Sequence, residues 1–320
     1  MSAPALTLRA RARTLELGGG GEGERPAGAG GPLLMGIVNA SADSFSDGGR
    51  YPRLEDQVRL AEELLRAGAD MLDVGGESAS TGSPPTPVGR EIELVAPLVE
   101  RLAGELGALV SVDTYKPAVA RAAIAAGASI VNDVSGLRDP ELARVCAQSG
   151  AALVLMHTRA APRERLQDPG LYADVTAEVL AFLGERIALA RAQGVASEQL
   201  IVDPGPDFAK TPAQTIELLR GLGALHELGR PLLMAISRKD FIGALTGRSP
   251  RARGAGTLAA LAHGVRHGAH IFRVHDVAGA RDFLTVSAAL EGRLRPPREL
   301  GLSEEIRYER ASRPAPAPSR

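Results

Sequence analysis

The residues of this 320-residue chain that could do chemistry stand at the ends of short apolar runs: Asn39, Asp73 with Glu77, Asp113, Asn132 with Asp133, His157, Asp203, Ser237 with Arg238 and Lys239, and Arg273 with His275. Their types fall into three groups. Asp113, Asn132 and Asp203 are two carboxylates and an amide, suited to exchanging hydrogen bonds along the edge of a flat nitrogen heterocycle. Lys239, Arg273 and His275 supply positive charge for an anion such as phosphate. Asn39 opens the oxygen-rich stretch "ASADSFSDGG" and offers ligands to a hard cation such as Mg²⁺, which takes a few protein oxygens and completes its shell from substrate phosphate and water. Together the groups describe a site for a phosphorylated heterocycle. Singly, each has a plainer reading: Asp203 in "DPG" as a turn former, Arg238 and Lys239 as solvated cations at a helix start, His275 as a partner for a backbone carbonyl.

For these side chains to meet, the elements that carry them must converge. Eight apolar runs precede them: "LLMGIVN", "ADMLDVGGE", "LVSVDT", "SIVNDVS", "ALVLMH", "LIVDPG", "PLLMAIS" and "AHIFRVHDV". Short, nearly continuous hydrophobicity suits parallel strands covered on both faces. The intervening segments have helical periodicity. "LEDQVRLAEELLRAGAD" puts Val58, Ala61, Leu64 and Leu65 on one face and stops at Gly68, and "YADVTAEVLAFLGERIALARAQG" closes at Gly194. Eight strand and helix units predict an α/β fold, a single-domain (β/α)₈ TIM barrel whose strand ends form the mouth of the site. The predicted organisation is a hairpin with a Gly-rich linker over residues 1–31, the barrel over 32–293 and a flexible tail over 294–320. "LTLRARARTLEL" alternates apolar and polar residues as a hairpin does, and its expected place is the barrel floor.

Composition narrows the function classes. A formal net charge of -1 provides no overall attraction to nucleic acid or a membrane surface. No apolar run reaches the roughly 20 residues of a bilayer span, and the N-terminus lacks the apolar block of a signal peptide. One cysteine, Cys146, allows no internal disulfide and fits a reducing cytoplasm, so a cytoplasmic protein is expected. "GGGGEG" is no phosphate loop, because no strand precedes it and no lysine follows at the required spacing. Without further information, a Schiff base aldolase using Lys210 or Lys239 is also an open reading.

The blocks "MGIVNASADSFSDGG", "DVGGES", "SVDTYKP", "NDVSG", "DPGPDFAK", "SRKDFIG" and "RVHDV" lie in one order over roughly Leu33 to Leu290. In this the chain resembles the dihydropteroate synthases, transferases of folate biosynthesis. The resemblance implies condensation of 6-hydroxymethyl-7,8-dihydropterin pyrophosphate with p-aminobenzoate, giving 7,8-dihydropteroate and pyrophosphate. It further implies Asp113, Asn132, Asp203 and Lys239 as pterin-binding residues, with Met156, Phe208 and Lys210 lining the pocket. Arg273, His275 and Asn39 are implied at pyrophosphate and Mg²⁺, Asp43 and Phe45 on a loop that closes over the substrates, and Ser237 near the aminobenzoate carboxylate. Asp113, Lys239, Arg273 and His275 carry the catalytic expectation, and a homodimer is implied.

Three blocks depart from the family pattern. An arginine expected after "GGES" is replaced in "ASTG" by Ser80, a Val-Thr-Pro is replaced by Ala40, Ser41 and Ala42, and the usual "GFGK" reads Asp207, Phe208, Ala209, Lys210. All three lie toward the acceptor side. The alternative they raise is a paralogue that binds pterin with an altered acceptor or little turnover. A pterin-binding methyltransferase shares the barrel, but "DSFSDGG", "SRK" and "RVHDV" favour the synthase.

Overall fold

The computed structural model describes residues 5–18, 31–40, 53–77 and 85–308. Asp43, Phe45 and Ser80 lie outside the described residues, as do most of the Gly-rich segment and the last twelve positions, 309–320.

An antiparallel hairpin comes first, β1 (Leu6–Ala10) and β2 (Arg13–Leu17). The barrel follows as β3 (Leu33–Asn39), α1 (Leu54–Arg66), β4 (Met71–Gly75), α2 (Val88–Gly104), β5 (Val110–Asp113), α3 (Pro117–Ala125), β6 (Ile130–Asp133), α4 (Glu141–Ser149), β7 (Ala152–Met156), α5 (Val175–Ala192), β8 (Leu200–Asp203), α6 (Pro212–Arg220), β9 (Leu233–Met234), α7 (Asp240–Thr246), α8 (Gly254–Arg266), β10 (Ile271–Val274) and α9 (Val277–Leu290). All eight apolar runs are strands, and all are parallel, in the order β8, β7, β6, β5, β4, β3, β10, β9. A parallel bridge between Val202 and Leu232 joins the two ends of that order. The result is a nearly closed (β/α)₈ barrel, with α7 and α8 both between β9 and β10.

Side-chain alternation along each strand separates two cores. Leu34, Val38, Leu72, Val74, Val112, Val131, Leu153, Leu155, Val202 and Phe272 face outward and pack under the helices. α1 buries Val58, Ala61 and Leu64 there, and the chain leaves it through Gly68 at φ +98°. The second core lies inside the barrel, where Met35, Met71, Ile130, Ala152, Val154, Ile201, Leu233 and Ile271 meet Leu8, Ala10 and Leu17 of the hairpin. These barrel residues come mostly from the first half of each strand, so the hairpin seals the floor. Arg11 N–H donates to Gly150 O at 2.8 Å and fixes it in place. With the floor sealed by apolar side chains, polar interior residues are confined to the upper half, and the mouth is left as the access to them.

Candidate active site

The next inward-facing layer above the apolar floor is polar. Asp73 on β4 is fully buried and accepts from Arg273 Nε on β10 at 2.6 Å and from Asn132 Nδ2 on β6 at 3.1 Å. Arg273 also reaches Asp113 at the end of β5, with Nη2 3.2 Å from Oδ2. Burial opposes the guanidinium charge, but the carboxylates of Asp73 and Asp113 outweigh it and hold the Arg273 pKa above its ordinary value. One cation shared between two carboxylates leaves the cluster electron-rich. Asp113 accordingly titrates at about 7, raised first by burial and then by Asp73. Asp73 is a strand-end candidate to which the sequence assigns no role; nothing local in "MLDVG" distinguishes a strand-end cap from the anchor of side chains on two other strands.

Asp203 ends β8 beside Met156 of β7, its partner in register. Its Oδ1 accepts the Gly205 N–H at 2.7 Å, and burial raises its pKa to about 6. Gly205 is required here: its φ is +65°, and a Cβ would lie 2.1 Å from the His157 carbonyl oxygen. Lys239, immediately before α7, holds its ammonium 4.4 Å from the centre of the Phe208 ring, and burial lowers its pKa. At the ends of β9 and β10, Ser237 Oγ lies 2.9 Å from His275 Nδ1 and accepts the His275 N–H at 3.2 Å. Burial, with Arg238 and Arg273 nearby, lowers His275 to about 3, which makes it a neutral imidazole at physiological pH.

Asn39 ends β3 in register with Gly75, which is in turn in register with Asp113. A Cβ on Gly75 would sit 3.7 Å from Asp113 Cβ and 4.0 Å from Asn39 Oδ1, so the glycine leaves space between that amide oxygen and that carboxylate. Asp113, Asn132, Met156, Asp203, Ser237, Arg273, His275 and Asn39 thus stand on adjoining strand ends, with Phe208 and Lys239 on the loops above them.

Lys210 is placed differently from the expectation. It is fully buried, and its ammonium donates to Gly205 O at 2.9 Å and Phe208 O at 3.0 Å and lies 2.8 Å from His157 Nδ1. Burial and the lysine charge depress His157 far below its usual range, so the ring is neutral and Nδ1 serves as acceptor. All three ammonium donors are then engaged, two by carbonyls of the β8–α6 loop and one by His157 after β7. Burial lowers the Lys210 pKa to about 7.

The same loop contains one of the three departures, with two residues in place of glycines. Asp207 at φ +66° and Ala209 at φ +51° occupy the left-handed region that favours glycine. Asp207 offsets the strain through its carboxylate, which accepts from Thr215 Oγ1 at 3.1 Å and from the Asp240 N–H in the first turn of α7. It thereby ties the Phe208 loop to the helix start that carries Lys239, a role with no signal in the sequence beyond an acidic residue in a glycine's place.

Glu77, another expected strand-end candidate, has its carboxylate engaged by neighbours. It pairs with Lys116 and with Arg163 at 2.9 Å, and accepts from Tyr115 OH at 3.2 Å. Lys116 also pairs with buried Glu91 at 2.6 Å. Burial works against the Glu77 charge, but hydrogen bonds from Lys116 and Arg163 outweigh it and hold its pKa low. Asp133 faces outward and caps the following loop, accepting from the N–H groups of Ser135 and Leu137.

Among the described residues no group of three or more His, Cys, Asp or Glu is disposed to hold a metal, and no helix is long and apolar enough to cross a membrane. Residues 35–275 match the family described as pterin binding enzyme. The chain is 41% identical over 259 residues to a dihydropteroate synthase of Synechocystis, covering 80% of this chain and 89% of the relative. It is 38% identical over 278 residues to that of Escherichia coli, covering 87% and 95%. Among solved structures, Xanthomonas albilineans dihydropteroate synthase with 4-aminobenzoic acid superposes with a TM-score of 0.79 at 42% identity, over 90% of this chain and 99% of the other. The same enzyme in complex with 7,8-dihydropteroate gives 0.74 at 40% identity, over 88% and 98%.

Proposed function

The chain belongs to the pterin-binding enzyme family, and on that premise we propose that it is a dihydropteroate synthase, a transferase joining 6-hydroxymethyl-7,8-dihydropterin pyrophosphate to p-aminobenzoate with release of pyrophosphate. One observation carries the reading: Asp73 gathers Arg273 and Asn132, and through Arg273 also Asp113, into a single hydrogen-bonded group at the base of the mouth. Its upper members face the space that Asp203, Lys239 and Phe208 border.

The pterin lies against Asp113, Asn132 and Asp203, with Met156 and Phe208 as apolar walls. As pyrophosphate departs, positive charge develops on the pterin methylene, and catalysis consists mainly of preorganised charge. Asp113, titrating at about 7, can carry negative charge next to that developing cation. Lys239, held over Phe208, belongs with the pterin set, and Arg273 serves the leaving diphosphate. Neutral His275 can donate a hydrogen bond to it without adding net charge, and Ser237 holds that ring in orientation. The aryl amine needs no strong base, which agrees with Lys210 being engaged within its loop.

Mg²⁺ fits this site as an ion carried by the diphosphate. Asn39 offers one amide oxygen beside the space that Gly75 leaves open, and the rest of the shell falls to phosphate and water. When bound, the ion neutralises charge on the leaving group. The reading includes a cytoplasmic location, free substrates as partners and a homodimer.

The test is direct. Purified protein with pterin pyrophosphate, p-aminobenzoate and Mg²⁺ should release diphosphate in step with dihydropteroate, and no release above background rejects the synthase. Saturable pterin binding in calorimetry, lost in Asp203→Ala but without condensation, would instead identify the non-catalytic paralogue.

A further inference from the structure

A cavity of about 310 Å³ lies on the outer flank of the rim, away from the mouth, between the loops after β6 and β7 and the face of α5. Ser135, Arg138, Thr158, Arg159, Glu178 and Arg186 supply its polar lining. None of the residues assigned to the pterin or the diphosphate lines it. Three guanidinium groups face one carboxylate there, and His157, which forms part of the wall, is neutral.

The positive charge is only partly compensated. Arg138 donates to the neutral carbonyls of Ala160 at 2.8 Å and Arg159 at 3.2 Å, which orient it without cancelling its charge. Arg159 pairs with Glu178 at 3.2 Å. Among the described residues the carboxylate paired with Arg186 is that of Glu185, at 3.6 Å and 71% exposed, so the pair contributes little. The Arg186 Nε is buried and has no hydrogen-bond partner among the described residues. The guanidinium lies 4.9 Å from the centre of the Phe182 ring, which limits its freedom to turn toward solvent. The Arg186 side chain as a whole remains 27% exposed, so its charge is available at the cavity wall, and an oxyanion held there would gain charge-assisted hydrogen bonds.

We propose that this cavity is a second binding site, for a small phosphoryl oxyanion, with Arg186 and Arg159 as its principal donors and the hydroxyls of Ser135 and Thr158 as secondary ones. The shared chemistry is a phosphate group; the sources are free diphosphate or a phosphate monoester with an aromatic body that rests on Phe182.

Calorimetric titration of the full chain tests this. Sodium diphosphate and phenyl phosphate are the two probes, applied to the wild type, Arg186→Gln and Arg159→Gln, with circular dichroism as the check that each variant is folded. Anion binding at the barrel mouth is common to all three proteins and serves as the internal reference. The wild type should show a binding event that each variant weakens by about tenfold or more, the loss expected for one charge-assisted hydrogen bond. Diphosphate as the responding probe identifies the free anion, and phenyl phosphate identifies the ester. Isotherms that superpose across wild type and both folded variants for both probes would overturn the site. That result would leave the synthase reading untouched, because no residue of the mouth is altered.

Discussion

Arg273 and Asp73 stand 200 positions apart in the chain and meet inside the barrel with Nε 2.6 Å from Oδ2. The contact links β10 to β4 across the top of β3, and Asn132 joins it from β6. Asp73→Asn removes the buried negative charge and leaves the guanidinium with Asp113 alone. Breaking one side of a buried pair costs about 3 to 5 kcal/mol, and a fall of that order in unfolding free energy is expected from urea titration. With the neighbouring like charge removed, Asp113 should also ionise more readily, since Asp73 is the second cause of its elevated pKa.

Lys210 offers a sharp distinction between holding a loop and touching a substrate. Lys210→Met leaves the Gly205 and Phe208 carbonyls and His157 Nδ1 buried without their donor. Stability should drop by about 2 to 4 kcal/mol, and amide exchange over residues 204–210 should accelerate. Because the loop carries Phe208, KM for the pterin substrate should rise several-fold while kcat changes little. A loss confined to kcat would mean that the ammonium acts on the reacting atoms.

Asp203 makes a pH prediction whose sign follows from burial. Its pKa is raised from 3.8 to about 6 in the folded chain, so the native state holds this proton more tightly than the unfolded state does. The associated stability is complete below about pH 4 and is lost as pH rises through about 6. Asp203→Asn keeps an oxygen for the Gly205 N–H and does not titrate. Its stability relative to wild type should therefore improve between about pH 4 and about pH 7, by at most roughly 2 to 3 kcal/mol, and stay level above that. Thermal unfolding at the two pH values measures the difference, and a constant offset would refute the assignment.

The floor is separable from the chemistry. Leu8 is fully buried among Met35, Met71 and Ile271. Leu8→Ala should lower unfolding free energy by about 2 to 5 kcal/mol through the cavity it leaves. Kinetic constants measured well below the melting temperature should match wild type, because the hairpin touches only the apolar end of the barrel.

Much of this architecture was legible from local pattern. Each strand in "LLMGIVN" or "LIVDPG" announces itself by apolar continuity and its end by a change to polar residues, since burial on two faces imposes that composition residue by residue. Helix stops at Gly68 and Gly194 were equally local: both residues adopt positive φ, which glycine tolerates. The hairpin's alternation is local too, and its strands pair as β1 and β2, whereas its seat under the barrel is a matter of packing.

What the order of residues could not express was partnership. Asp73 and Glu77 read as equivalent acidic strand ends, yet one is the buried anchor of Arg273 and the other is paired to Lys116 and Arg163 outside the polar layer. Lys210 and Lys239 both read as cations facing the pocket; closure of the ring turns one into its own loop and leaves the other over Phe208. The physical reason is that hydrophobic periodicity acts over a few neighbours, whereas the meeting of charges depends on which strands adjoin, in what register, and where the barrel closes. Sequence alone therefore determined the strands, their polar ends and the family blocks, and tertiary structure decided which of those ends face one another.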